Sequence, residues 1–122
     1  MAVYYKAFRV TGAVNQIVWD DGLTSTEAEP KHLRGVYLTT SDWFGNLVKA
    51  SIEREEVMSI YDFNIDSYNY LSTGNGARST NKPYYFELNI DIPLGRTFRI
   101  GLQCGGTATT IYGVYVYEIK AR

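Results

Sequence analysis

The sequence predicts an all-β fold: an antiparallel β-sandwich of seven to nine strands, connected as a jelly roll or Greek key. Three observations carry this expectation. Apolar and polar residues alternate with period two along most of the chain. Turn signals separate the alternating runs at fairly regular intervals. Two longer connections interrupt the short hairpins, as strands that cross between sheets require. The 122 residues fit one domain spanning 1–122, a size that buries roughly two-thirds of the surface of the unfolded chain.

The elements follow in order. In the opening strand Val3 and Tyr5 face away from Tyr4, Phe8 and Val10, and Thr11-Gly12 ends it. Asp20-Asp21-Gly22 is a turn, and the polar stretch Leu23 to Leu33, with Pro30, reads as a long loop. After the Gly45-Asn46 turn, Val48, Ala50 and Ile52 alternate with Lys49, Ser51 and Glu53. Ser51 to Ser59 is the best helix candidate, although Ile52 and Val57 make only a narrow stripe. Ser72 to Pro83, with Gly74-Asn75-Gly76, forms the second long loop. Phe86, Leu88, Ile90 and Ile92 then share one strand face, and after Pro93-Leu94-Gly95 so do Phe98, Ile100, Leu102 and Cys104. Beyond Gly105-Gly106, the closing strand places Tyr112, Val114 and Val116 opposite Ile111, Tyr115, Tyr117 and Ile119. Both of its faces are apolar, which predicts cover on two sides.

Composition excludes several roles. Twelve Lys/Arg against thirteen Asp/Glu leave a formal charge of -1 without a like-charge run, arguing against a nucleic-acid tail or a polybasic membrane patch. No apolar run approaches the roughly 18 residues of a membrane span. The early segment carries Lys6 and Arg9 within its apolar stretch, unlike a secretory signal. With a single cysteine, the expectation is synthesis in a reducing cytoplasm.

Chemistry-bearing residues are sparse. His32 is the only histidine and falls in a polar loop stretch without a nucleophile elbow. Cys104 lies on the apolar side of its strand and reads as a small core residue. One Cys and one His cannot make a zinc site. Asp62, Asn64 and Asp66 match the opening of a calcium loop, but Ser67 replaces its glycine and Thr73 its bidentate glutamate. They remain a weak cation candidate, or simply one polar strand face. The pairs Asp20-Asp21 and Glu53/Glu55 are carboxylates by type only, and Gly74-Asn75-Gly76-Ala77-Arg78 lacks the Lys-Ser/Thr of a phosphate loop. No cofactor and no enzymatic activity are expected.

The informative feature is the tyrosine surplus. Eleven tyrosines are about three times common usage, and adjacent ones on a strand must point to opposite faces. Outward rings suit protein interfaces, which nominates Tyr4, Tyr5, Tyr84, Tyr85, Tyr115 and Tyr117. Trp43, Phe44 and Trp19 lie beside turn signals and are the candidates for stacking on a glycan instead. Two classes follow: a non-enzymatic assembly protein, and a carbohydrate-binding module.

The Tyr-rich strands, the Phe98-to-Cys104 strand with its Gly105-Gly106 turn, and the closing Ile111-to-Lys120 strand resemble the small single-sandwich proteins of viral particles. These are the capsid, turret and decoration subunits of bacterial or archaeal viruses. The resemblance implies a jelly roll made in the host cytoplasm and carried in the virion. Such a chain would assemble with copies of itself or with other subunits, without disulfides.

Overall fold

The computed structural model describes residues 2–65 and 84–120. Among these residues nine strands form in chain order: β1 (Val3–Thr11), β2 (Ile17–Trp19), β3 (Leu23–Thr24), β4 (Lys31–Thr40), β5 (Leu47–Ile52), β6 (Glu55–Tyr61), β7 (Tyr84–Asp91), β8 (Thr97–Gln103) and β9 (Thr110–Ile119). The first sheet has the order β1-β9-β4-β7, and the second β2-β8-β5-β6 with β3 also on β8. Every strand pairing is antiparallel. Taking β2 and β3 as two pieces of one strand gives two interleaved four-stranded sheets, the jelly-roll order.

The break between β2 and β3 has a local cause. Trp19 pairs with Gly101 and Leu23 with Phe98, so Asp20, Asp21 and Gly22 stand opposite only Arg99 and Ile100. This is a β-bulge, and it needs glycine. Gly22 has φ +81, and a Cβ there would drive into the Phe98 carbonyl. The Asp20 carboxylate accepts the Gly22 N–H at 2.8 Å. It also accepts the Tyr115 hydroxyl at 2.7 Å. Tyr115 belongs to the first sheet, so its ring crosses the core and fastens the bulge of the second. The Ile100 N–H donates to the same hydroxyl at 3.3 Å.

The core is the set of inward positions: Phe8 and Val10, Leu33, Val36 and Leu38, Val48 and Ala50, Phe98, Ile100 and Leu102, and Ile111. Cys104 joins them, as the alternation predicts. Phe86, Leu88 and Ile90 pack on the edge of that cluster. The closing strand β9 lies between β1 and β4; its inner face joins the core through Ile111 and Tyr115, while Tyr112, Val114 and Val116 form its outer face.

Three expectations need correction. The stretch Leu23 to Leu33 is not one loop, because β3 pairs with β8 and β4 begins at Lys31. His32 accordingly lies on a strand, paired with Asp91. Ser51 to Ser59 is not helical; it is the β5–β6 hairpin, with Ile52 opposite Glu55. The expected Ser72–Pro83 loop, Asp66 and the Tyr84 side chain lie outside the described residues.

Candidate interaction surface

The strand register assembles the site on the outer face of the first sheet. One row across it reads Tyr5, Val116, Gly35, Glu87, and the next Ala7, Val114, Tyr37, Tyr85. A third row reads Arg9, Tyr112, Thr39. Because Phe8, Val10, Val36 and Leu38 are committed to the core, the residues between them must face out.

Among the described residues, four tyrosines therefore share this face. Tyr37 and Tyr85 have ring centroids 4.8 Å apart at a tilt of 46°. The Tyr85 ring lies over Gly35, where a Cβ would come within 2.5 Å of its hydroxyl. Glycine at this position creates the space for the ring. Tyr5 is 68% exposed and Tyr112 42%. Val116 is buried although it faces outward, which shows how closely its neighbours cover it. Partial burial raises the Tyr85 pKa despite the nearby Arg34 guanidinium, so the phenol stays a neutral hydrogen-bond donor and acceptor at neutral pH.

The centre of the face is uncharged and the charges sit around it. Arg34 Nε lies 3.9 Å from Glu118. The His32 Nδ1–H donates to the ionised Asp91 carboxylate at 2.6 Å, and Lys120 lies 3.4 Å from the other oxygen. The His32 bond, followed by the Lys120 charge, holds the Asp91 pKa below its usual value.

Of the six nominated tyrosines, Tyr5 and Tyr85 lie on this face. Tyr4 and Tyr117 stack at 5.6 Å on the inward-pointing side of β1 and β9. Tyr115 is fully buried, with its ring 4.4 Å from that of Phe8. It is a core residue and presents nothing to a partner, a correction forced by the hydroxyl's bond to Asp20. Burial, then that bond, raises its pKa. Sequence reading overlooked Tyr37. The apolar, core-facing Val36 and Leu38 on either side are the signal that would have found it.

The stacking candidates occupy different elements. Trp43 and Phe44 lie in the β4–β5 connection, where the Trp43 indole donates to the Ile65 carbonyl at 2.7 Å and Phe44 is exposed. Trp19 lies on β2, over Gly101 of the second sheet. The cation candidate is also overturned for its described members. Asp62 and Asn64 form a 3-10 turn, not a strand face. The fully buried Asp62 carboxylate accepts N–H groups from Phe44, Gly45 and Asn46, leaving little oxygen for an ion. No family model, curated protein or solved structure matches the chain, so any functional reading rests on this geometry.

Proposed function

We propose that this chain is a non-enzymatic assembly subunit, of the kind that builds or decorates virus particles, and that it self-associates through the outer face of its first sheet. The observation that carries the reading is the convergence of Tyr5, Tyr37, Tyr85 and Tyr112 on one face around Val114 and Val116. Tyrosine suits such a surface because its ring buries a large apolar area while its hydroxyl still finds a partner at the rim. The occupant is a second copy because the surrounding charges balance. Arg9 and Arg34 stand against Glu87 and Glu118, and a two-fold interface requires self-complementarity. A strongly acidic or basic partner would find no matching field here.

Light scattering across a dilution series is the test, on the native chain and on the Tyr5→Ser/Tyr85→Ser double variant. The native chain should form a closed oligomer, and the variant should dissociate at about tenfold or more higher concentration. Thermal unfolding of the variant's monomer should stay close to native, since both positions are outside the core. A native chain of 13.8 kDa at every concentration, or a variant that assembles unchanged, would overturn the proposal.

A further inference from the structure

The opposite side of the sandwich carries a second feature that assembly does not use. On the outer face of the second sheet, a shallow groove of about 440 Å³ is lined by Trp19, Lys49, Ser51, Arg54, Glu56 and Arg99, together with Ile17 and Glu53. Its geometry follows from register: Trp19 and Lys49 both pair with Gly101, and Ser51 pairs with Arg99. Trp19 lies flat because Gly101 has no side chain, and a Cβ there would come within 2.5 Å of the indole. The Arg99 guanidinium carbon lies 5.5 Å from the Trp19 ring centroid.

The polar groups around the ring are of both kinds. Lys49 and Glu56 form an ion pair at 3.2 Å across the groove, and one Glu53 oxygen accepts the Thr97 N–H at 2.9 Å. Two buried atoms, Ser51 Oγ and Arg99 Nε, have no hydrogen-bond partner among the described residues. An unpaired buried polar atom is costly, and these two belong to residues that are paired in the strand register and line one groove. Three cations line the groove against two carboxylates, and neither Arg54 nor Arg99 is in an ion pair among the described residues.

We infer that this groove binds a saccharide that carries a carboxylate. The flat indole takes the C–H face of a sugar ring, an apolar surface bordered by hydroxyls. Those hydroxyls both donate and accept, matching a lining that offers Glu53 and Glu56 as acceptors, Lys49 and Arg99 as donors and Ser51 as either. A simple anion only accepts, and makes no use of the acceptor oxygens that Glu53 and Glu56 add to the lining. The positive excess at Arg54 and Arg99 receives the ligand's carboxylate, and Ser51 Oγ and Arg99 Nε gain the partner they lack once the Arg99 arm swings toward it. The inference is independent of self-association, since it concerns the other sheet.

Titration with trigalacturonate, followed by the two indole N–H signals in a ¹⁵N-resolved NMR spectrum, is the test. The Trp19 signal should shift at millimolar ligand while that of Trp43, bonded to Ile65, stays in place. The methyl-esterified trimer should bind about tenfold more weakly, and acetate alone should produce no shift. Trp19→Ala should abolish binding. Because that change also removes packing on Gly101, the exposed Arg54→Gln provides the second variant, expected to weaken binding about threefold with unfolding unchanged. No Trp19 shift, equal binding of the ester, a matching response to acetate, or unaltered binding by Arg54→Gln would each overturn the inference.

Discussion

The two outer faces of this sandwich are built on the same inner one, yet they differ in kind. Behind both lies a common aliphatic core, to which β4 and β9 contribute Leu33, Val36, Leu38 and Ile111, and β5 and β8 contribute Val48, Ala50, Ile100 and Leu102. The first sheet then turns Tyr5, Tyr37, Tyr85 and Tyr112 outward around short aliphatic residues. The second turns out Lys49, Ser51 and Arg99 around a single tryptophan. Core alternation fixes only half of a strand's residues, and the other half is free to be chosen for water or for a partner. A broad aromatic face with charges at its rim fits a flat protein surface. A narrow ring bordered by mixed charge fits a small polar ligand.

The two faces are separate surfaces on one cooperative core, and the bulge at Asp20–Gly22 is where the two sheets are tied. Breaking it should lower the stability that supports both. Gly22→Ala combines a left-handed backbone with a collision against the Phe98 carbonyl, and the expected loss is roughly 3 kcal/mol. Urea unfolding followed in parallel by tyrosine and tryptophan fluorescence should give one coincident midpoint, moved down. Two separated midpoints would mean that the sheets unfold independently and that the tie is not structural.

A smaller effect, of about 1–3 kcal/mol, is expected for Tyr115→Phe, which keeps the ring against Phe8 and leaves Asp20 and the Ile100 N–H without the hydroxyl. The native chain should also be sensitive to alkali. The folded-state pKa of Tyr115 is raised above the unfolded value of 10.0, so its contribution is fully present below that pH and is lost as pH rises beyond it. Each further pH unit costs about 1.4 kcal/mol while the unfolded phenol is ionised and the folded one is not. Tyr115→Phe should flatten that alkaline limb. An identical limb in the variant would assign the loss to other groups.

The fold was legible where side chains alternate strictly. Phe98, Ile100 and Leu102 of β8, with Cys104 just beyond it, could be placed from the sequence because nothing interrupts their period of two. The β5–β6 hairpin was not legible because its turn is Glu53-Arg54. Two-residue hairpin turns usually carry Asn-Gly or Asp-Gly, and Glu53 instead holds φ +55. A reciprocal pair of bonds with Thr97 fixes it there, Glu53 N–H to the Thr97 carbonyl at 3.0 Å and Thr97 N–H to Glu53 Oε1 at 2.9 Å. That support comes from a residue 44 positions away, beyond any local pattern. The site was half legible for the same reason. Alternation separates Tyr4 from Tyr5, but only the β1-β9-β4-β7 order brings Tyr5, Tyr37, Tyr85 and Tyr112 onto one surface. Tyr115 was misjudged because a tyrosine in the core needs a buried acceptor, and Asp20 lies 95 residues away in sequence.

The smallest expected effect lies at the rim of the first face and tests whether that rim belongs to the face alone. Asp91 is exposed, and its pKa is held below 3.8 by the His32 hydrogen bond and then by Lys120. A carboxylate with a depressed folded pKa contributes above its unfolded value, and that contribution disappears as pH falls through the folded one. Solvent screening at this site keeps the effect on unfolding slight, so the titration itself is the better readout. The Asp91 carboxyl carbon should titrate in NMR with a midpoint below 3.8, and His32→Gln should move it upward. The Trp19 indole, on the outer face of the second sheet, should not respond to this titration. An Asp91 midpoint unaffected by His32→Gln would remove His32 from the rim's electrostatics. A Trp19 signal that tracks the titration would mean that the two faces are coupled through the core.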